Sequence, residues 1–166
     1  MKIIPIKQLD DIACGPTCIE MAARYFGLPY TTEQIAKISG YKKKDGLSNT
    51  DLVETLKKVS LKAKQKANCT WANLKKANKD GQVVIVSWMK QGYIGHFSVV
   101  ENVGDEFIDI VDPEEGRAVR LEKTVFMRLW MDYDDMWYPK VNTDIQLRWM
   151  CIVQKNLRKR KDTKTI

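Results

Sequence analysis

Residues 13–18 read ACGPTC, and the spacing of the two cysteines in this stretch decides how the rest of the chain is interpreted. A C-G-P-C redox motif has two residues between its sulfurs, whereas three residues separate Cys14 from Cys18. Four interpretations are open at this point: a redox couple, half of a metal site, a nucleophile beside an inert cysteine, or two buried thiols. The surrounding pattern has to discriminate among them.

The residues that follow Cys14 show the periodicity of a helix. Apolar side chains recur at helical spacing as far as Tyr25, and a Gly-Leu-Pro sequence ends the pattern, which predicts a helix over residues 14–26. Gly15 supplies backbone freedom where the helix begins, and Pro16 suits its first turn. Cys14 would then lie at the helix N terminus, where the dipole and the unpaired N–H groups favour the reactive thiolate.

The remaining pattern places helices in the first half of the chain and strands in the second. Capping residues predict short helices that begin after Thr31, Ser48 and Thr70. An edge strand is predicted at LKAKQKA, further strands at QVVIVSWM, HFSVVENV, EFIDIV, RAVRL and LRWMCIVQ, and a short helix at EKTVFMRLW. This order is typical of an α+β fold in which helices pack on an antiparallel sheet.

Length and composition indicate one globular domain. The chain has 166 residues, of which 44% are hydrophobic and 30% charged, which is sufficient for one sizeable core. No apolar run approaches the about 18–20 residues of a membrane span, and the N-terminal MKIIPIKQLDD turns polar too early for a secretory signal. We therefore expect a cytoplasmic protein without a membrane span, and four cysteines in a chain of this length do not indicate a disulfide framework.

The basic charge is concentrated at one end of the chain. The formal net charge is +7, and residues 155–166 alone hold six Lys or Arg against one Asp. We predict a single domain over residues 1–154, within which residues 131–154 are an extension of undetermined path, followed by a basic, disordered tail over residues 155–166. Because the charge lies in the tail and not on the folded body, we expect no nucleic-acid partner.

A single histidine limits the chemistry that the cysteines can perform. Any thiol activated by an imidazole must pair with His96, which begins the strand HFSVV. Asp112 ends the next strand, where its carboxylate could fix the imidazole tautomer and support its positive charge. Gln8 lies six residues before Cys14, where its amide could join the Cys14 backbone N–H in holding an oxyanion. Trp88 precedes His96 by one short loop and would border this site.

The hairpin between the two strands decides whether His96 and Asp112 can meet. A two-residue loop at Gly104-Asp105 would place them on opposite faces of the sheet. A three-residue loop over residues 103–105 would place them directly opposite each other on one face. An active pair therefore requires an odd-numbered loop or a β-bulge.

Three motifs together resemble those of the bacteriocin-leader cysteine peptidases, the double-glycine peptidase family with a papain-like fold. They are QLDDIACGPTC, GHFSVV and IVDPEEG in that order, and the similarity spans residues 5–130. The resemblance implies a cysteine peptidase in which Cys14 is the nucleophile, His96 the general base, Asp112 its orienting acid and Gln8 the oxyanion-hole donor. It also implies an N-terminal helical part that carries the thiol, packed on a C-terminal antiparallel sheet that carries the other two groups.

The resemblance also bears on substrates and partners. It implies a peptide or protein substrate, with leader peptides as the first candidate, and Gly95 and Trp88 are the candidate substrate-binding residues. Many members of this family are the N-terminal domain of a transporter, and no transporter follows in this chain. We therefore expect association with a separate transporter or other partner protein through the basic tail. We expect no cofactor and no metal.

Other interpretations of the same residues remain open. Cβ atoms at i and i+4 of a helix lie about 5–6 Å apart, beyond the about 3.5–4.5 Å of a disulfide, which disfavours a redox couple of Cys14 and Cys18. A metal site built from these thiols with His96 and Asp112 lacks the second cysteine pair of structural zinc sites. Acyltransferases, deamidases and amidases use the same Cys-His-Asp set, and a catalytically idle domain would retain only peptide binding.

Overall fold

A computed structural model of the chain describes residues 2–41, 46–133 and 138–157. The α-helices are α1 (Cys14–Tyr25), α2 (Thr32–Ser39), α3 (Asn49–Lys58), α4 (Trp71–Ala77) and α5 (Lys123–Leu129), and a 3-10 turn covers Asn142–Asp144. The strands are β1 (Leu61–Lys66), β2 (Gln82–Lys90), β3 (Ile94–Val103), β4 (Phe107–Asp112), β5 (Arg117–Glu122), β6 (Met131–Tyr133), β7 (Ile145–Leu147) and β8 (Met150–Lys155). The predicted α+β architecture, with helices first and an antiparallel sheet second, is confirmed.

Local capping interactions begin three of the helices where the sequence predicts them. The Thr31 hydroxyl accepts a hydrogen bond from the Gln34 N–H, while the Gln34 side chain accepts one from the Thr31 N–H. Thr70 begins α4 with the same reciprocal pair, and Ser48 accepts a hydrogen bond from the Asp51 N–H at the start of α3. These side chains satisfy backbone N–H groups that have no partner within the helix.

Six strands form one antiparallel sheet in the order β1-β8-β2-β3-β4-β5. β1 is an edge strand, as predicted. β8 is the final strand predicted at LRWMCIVQ, and it lies inside the sheet, hydrogen-bonded to β1 on one side and β2 on the other. The segment without a predicted path also supplies β6 and β7, which pair as a separate two-stranded sheet. Residues 134–137 of that segment and residues 158–166 of the predicted tail lie outside the described residues.

The sheet is covered on both faces at its centre, and β2 is buried along its whole length. Side chains of β2 alternate between two apolar clusters: Val83 and Ile85 pack with α1, α2 and α3, whereas Val84 and Val86 pack with α4 and α5. This burial explains why QVVIVSWM is continuously apolar and not alternating. Within the described ranges, no helix has the length and apolar character that crossing a bilayer requires.

Candidate active site

Cys14 is the first residue of α1 and is partly exposed. A Cβ added to Gly15 would lie 3.0 Å from Leu47 Cδ1, so the missing side chain admits Leu47 against the start of the helix. The glycine is therefore required for this close approach, and the backbone freedom expected from the sequence is not what the position uses. Thr17 reinforces the first turn, because its hydroxyl donates a 2.8 Å hydrogen bond to the Ala13 carbonyl oxygen.

Cys18 lies one helical turn beyond Cys14 and is completely buried in the apolar core. Burial raises the pKa of its thiol well above the ordinary value, and the charges of Cys14 and Asp112 raise it further. The thiol is thus held in its neutral, unreactive form. Cys69 and Cys151 are buried as well, and burial also raises the pKa of each thiol. Cys14 is the one partly exposed cysteine among the described residues.

His96 and Asp112 form a buried hydrogen-bonded pair, with His96 Nε2 2.9 Å from Asp112 Oδ1. This contact occupies Nε2, so Nδ1 is the ring nitrogen left for the Cys14 thiol, which is close enough to the imidazole to raise its pKa. Burial lowers the pKa of His96, but the hydrogen bonds and charges of Asp112 and Cys14 outweigh burial and raise it to about 9. The geometry therefore brings together the thiol, imidazole and carboxylate, and favours a protonated imidazole.

A β-bulge in β3 sets the register of the hairpin. Val100 pairs with Ile110, but two residues further along Asn102 pairs with Asp109, so Glu101 is an extra residue without a partner of its own. A 2.8 Å hydrogen bond from the Gly104 N–H to the Phe107 carbonyl oxygen closes the turn. The turn therefore lies one residue further along the chain than the two-residue loop at Gly104-Asp105 that the sequence suggested.

The bulge places His96 and Asp112 on the same face. Val99 pairs with Val111, so the same register puts Asp112 opposite Ser98. Ser98 is two residues from His96 on β3. His96 and Asp112 are therefore diagonal neighbours on one face. Without the extra residue, the register at the turn would place them on opposite faces. The expectation of an odd loop or a bulge is confirmed by the bulge, whereas the directly opposite arrangement of a three-residue loop does not occur.

Four groups contact the Asp112 carboxylate. Oδ1 accepts hydrogen bonds from the N–H groups of Glu114 (2.8 Å) and Glu115 (3.4 Å), in addition to His96. Oδ2 lies 2.9 Å from the ammonium of Lys90. Burial raises the pKa of Asp112, but the hydrogen bonds and charges of His96 and Lys90 outweigh it and hold the carboxyl well below its usual range.

Lys90 is a residue of this site that the sequence analysis missed. It ends β2 with 11% of its side chain exposed, and its ammonium contacts both Asp112 and Glu114, the latter at 2.7 Å. A signal was available, because Lys90 is the one charged residue in a strand whose other residues are uncharged and mostly apolar. A lysine at the end of such a strand needs a carboxylate partner.

Gln8 is tied to the loop that follows Asp112. Its backbone N–H donates a 2.8 Å hydrogen bond to the Pro113 carbonyl oxygen. Its side-chain Oε1 is buried and has no hydrogen-bond partner among the described residues. The backbone of Gln8 is therefore held at the residue that follows Asp112, and its role as an oxyanion-hole donor stays a prediction.

The two candidate substrate-binding residues have different surroundings. Gly95 is exposed, and a Cβ there would lie 2.9 Å from an Asp132 carboxylate oxygen. Trp88 is buried; its ring packs edge-on against His96 with the centroids 6.1 Å apart, and its Nε1 donates to the Ser98 hydroxyl at 3.0 Å. The indole thus packs against the histidine ring and restrains it. A substrate contact for either residue stays a prediction.

A metal ion at this site would compete with the ammonium of Lys90. One ligand atom each of His96, Asp112 and Glu114 lies within 4.8 Å of the others. The Lys90 ammonium already contacts both carboxylates, so a divalent cation would have to displace it. Cys18 does not join this group, because it lies in the core.

Comparisons with known proteins identify the family and the fold of this chain. The family model described as the peptidase C39 family matches residues 2–134. The peptidase domain of Streptococcus ComA, a bifunctional ABC transporter involved in quorum sensing, superposes with a TM-score of 0.71 at 20% identity, covering 93% of this chain and 99% of that one. A search of curated protein sequences gives no match.

Two further solved structures share the fold. A double-glycine-motif protease from an AMS/PCAT transporter, solved with its leader peptide, superposes with a TM-score of 0.70 at 21% identity over 93% of this chain and 92% of that one. A putative C39-like peptidase from Bacillus anthracis gives 0.66 at 16% identity over 92% and 94%. The fold is therefore the papain-like one of these peptidase domains, with the helices N-terminal and the sheet C-terminal, as the resemblance implies.

Proposed function

This chain belongs to the peptidase C39 family, and from that premise we propose that it is an active cysteine peptidase with Cys14, His96 and Asp112 as its catalytic triad. The observation that carries the proposal is the position of the imidazole: its Nε2 lies 2.9 Å from Asp112 Oδ1, and the Cys14 thiol is close enough to raise the pKa of the ring. An exposed cysteine at a helix start without such a partner would be only a surface thiol.

The reaction begins with proton transfer from the Cys14 thiol to His96 Nδ1. The thiolate attacks the carbonyl carbon of the scissile bond and forms a C–S bond, while the carbonyl π electrons move to oxygen. The Cys14 backbone N–H and the Gln8 amide would stabilise this oxyanion, which favours the transition state over the ground state. Gln8 would donate through its Nε2–H group, and its backbone is held at the loop after Asp112 by the 2.8 Å hydrogen bond from its N–H to the Pro113 carbonyl oxygen.

Collapse of the tetrahedral intermediate breaks the C–N bond. The protonated His96 gives its proton to the departing amine, which leaves an acyl group on Cys14. A water molecule, deprotonated by His96, then attacks the thioester, and the carboxylic acid and the free thiol are released. Asp112 keeps the ring oriented through Nε2 and stabilises its positive charge in both steps.

We propose a peptide with a double-glycine site as the substrate class. The support is the family and the leader-peptide complex of a structural relative, which is a finding about that relative. The reaction requires a reduced thiol, and the four cysteines are all free, so we place the protein in the cytoplasm. The predicted contact of residues 155–166 with a separate transporter or partner is part of this proposal.

Peptide turnover tests the proposed reaction. The chain is incubated with peptides that contain or lack a Gly-Gly site, and products are identified by mass spectrometry. We expect cleavage by the wild-type chain and a loss of roughly 10³-fold or more in Cys14→Ala, with Cys18→Ala as the matched control that retains activity. Cleavage by Cys14→Ala at the wild-type rate would overturn the assignment of the nucleophile.

An added amine nucleophile distinguishes hydrolysis from acyl transfer. Both reactions pass through the same thioester, and only the group that attacks it differs. We expect the free carboxylic acid as the main product in the presence of the amine. An amide as the main product would assign the chain to the acyltransferases, and release of ammonia from a glutamine side chain would assign it to the deamidases.

Alkylation tests activation of the thiol without any substrate. Iodoacetamide should modify Cys14 first, but exposure alone would give that result because Cys18, Cys69 and Cys151 are buried. The decisive comparison is therefore Cys14 in the wild-type chain and in His96→Ala. We expect about ten-fold slower alkylation in the variant near neutral pH, since the thiolate loses its cationic partner. Equal rates would show that His96 does not activate Cys14.

A further inference from the structure

An unassigned lysine lies next to the proposed triad. Resting on the proposed function, we propose that Lys90 is a positioning residue that holds the second carboxylate oxygen of Asp112 and neutralises the acidic turn behind it, so that His96 can release its proton during the reaction. Lys90 contacts neither the thiol nor, in this proposal, the substrate.

The geometry around Lys90 carries this assignment. Its ammonium lies 2.9 Å from Asp112 Oδ2, 2.7 Å from a Glu114 carboxylate oxygen and 3.7 Å from one of Glu115. The side chain is 11% exposed and that of Asp112 is 2% exposed, so solvent screens their interaction much less than it would screen a surface pair. Three carboxylates from one turn therefore converge on one buried cation.

The direction of the lysine is fixed by the sheet. Trp88 and His96 are register partners in β2 and β3, and Lys90 lies two residues after Trp88 on the same face. The bulge at Glu101 brings Asp112 to that face as well. Lys90 therefore approaches the carboxylate from β2 while His96 approaches it from β3, and each contacts a different oxygen.

Other charged groups near His96 do not replace Lys90. Arg117 on β5 contacts Glu115 at 3.4 Å and is itself largely exposed. Lys7 approaches Gly116 of the same turn through its Cβ. On β6, the Asp132 carboxylate lies against Gly95 and accepts a hydrogen bond from Ser87. From α1, the Cys14 side chain is close enough to the ring to raise the pKa of His96.

The consequence for the reaction is electrostatic. A carboxylate beside an imidazole stabilises the protonated ring, and three uncompensated carboxylates would stabilise it further. A ring that binds its proton too strongly gives it up slowly to the departing amine. The Lys90 ammonium opposes this by placing a positive charge beside Asp112. The same contact restrains Oδ2, while Oδ1 remains hydrogen-bonded to His96 and to the Glu114 N–H.

The single histidine of the chain makes this proposal directly measurable. An NMR titration of untagged, ¹³C- or ¹⁵N-labelled protein gives the His96 protonation midpoint from one imidazole signal without ambiguity. We expect the midpoint to rise by at least about 0.3 pH unit in Lys90→Met, because a nearby positive charge is lost. Lys90→Arg should restore the wild-type midpoint, and Lys64→Met, which removes an exposed lysine on β1, should leave it unchanged.

A second variant keeps the test decisive if Lys90→Met does not fold. Glu114→Gln removes a half-exposed carboxylate of the same turn and should lower the His96 midpoint. A midpoint that falls or stays constant in Lys90→Met would overturn the proposal, and so would an unchanged midpoint in Glu114→Gln. A purely structural lysine would change the melting temperature without moving the midpoint of the folded protein.

The titration is independent of substrate, so it separates this proposal from the proposed function. If the chain cleaves no peptide but the midpoint moves as expected, Lys90 tunes His96 and the peptidase assignment fails. If peptide cleavage is found, Lys90→Met should lower kcat several-fold with little change in KM, because the lysine acts on proton transfer and not on substrate binding. A rise in KM at constant kcat would assign Lys90 to substrate binding and overturn the positioning role.

Discussion

Asp112 is the residue at which the electrostatics of the site converge. Its two oxygens contact an imidazole and an ammonium, and two backbone N–H groups of the following turn add to the first oxygen. The carboxyl therefore stays ionised far into acid, and the pKa of His96 is raised to about 9. The Asp112 side chain thus does two things at once: it accepts the backbone hydrogen bonds of the Asp-Pro turn, and it contacts the His96 ring.

Replacing this carboxylate should change the alkaline side of the pH profile. Asp112→Asn removes a negative charge that stabilises the protonated His96, so the pKa of the ring should fall from about 9 towards its ordinary 6.5. We expect the alkaline limb of kcat/KM to move to lower pH and activity to fall by roughly ten-fold or more. Asp109→Asn, on the same strand but paired with Arg120, is the control; equal shifts in both variants would contradict this role.

The three residues of the proposed triad could be identified from local sequence signals, whereas the contacts of Lys90 depend on the tertiary structure. Cys14, His96 and Asp112 are recognisable because a helix start, a strand start and a strand end can be read from neighbouring residues. Lys90 was missed because its three carboxylate partners lie more than twenty residues further along the chain. Gly15 was found for the wrong reason, since its partner Leu47 comes from a distant loop.

At the scale of elements, the β3–β4 hairpin determines whether His96 and Asp112 of the proposed triad can meet. Strand identity could be predicted from the apolar pattern, but the position of the bulge could not, because the side-chain pattern fits more than one register. In the structure, Glu101 is the extra residue that changes the register between the turn and the site. The helices were more predictable than the hairpin, because Thr31, Ser48 and Thr70 cap them through contacts only three residues away.

Removing the extra residue should separate His96 from Asp112 without removing any side chain of the proposed triad. Deletion of Glu101 extends the register of the turn into the site and places His96 and Asp112 on opposite faces. We expect activity to be lost and the His96 midpoint in the NMR titration to fall below about 9, because the carboxylate no longer contacts the ring.

The matched control for this deletion is Glu101→Ala. It keeps the extra residue and removes only the carboxylate that accepts a 3.3 Å hydrogen bond from the Ile3 N–H. Activity and the His96 midpoint should both survive in this variant. A deletion variant that retains the wild-type midpoint would show that the bulge can relocate within β3.

At the scale of the whole molecule, β8 connects parts that are far apart in the sequence. It pairs with β1 and with β2, which therefore do not contact each other directly in the sheet. Cys151 and Val153 pack into the core beneath α1, whereas Met150 packs into the core beneath α5. The sequence predicted this strand but not its place, because strand order is set by contacts across most of the chain.

Truncation tests the structural role of β8. A chain that ends at residue 147 lacks the strand and leaves β1 and β2 with unpaired edges and two exposed apolar faces. We expect it to be unfolded or aggregated by circular dichroism and size-exclusion chromatography, although residues 5–130 carry every catalytic motif. A chain that ends at residue 157 should unfold cooperatively near the wild-type temperature; a folded shorter chain would contradict the role of β8.

The position of β8 also determines when this domain can fold during synthesis. The ribosome makes β1 and β2 long before Met150–Lys155, which must insert between them. Contacts of such long sequence separation form slowly, and a sheet that awaits its inner strand exposes apolar surface in the meantime. We therefore expect sheet assembly to be a late, nearly all-or-none event that follows synthesis of residue 155, so that the thiol and the imidazole remain apart until then.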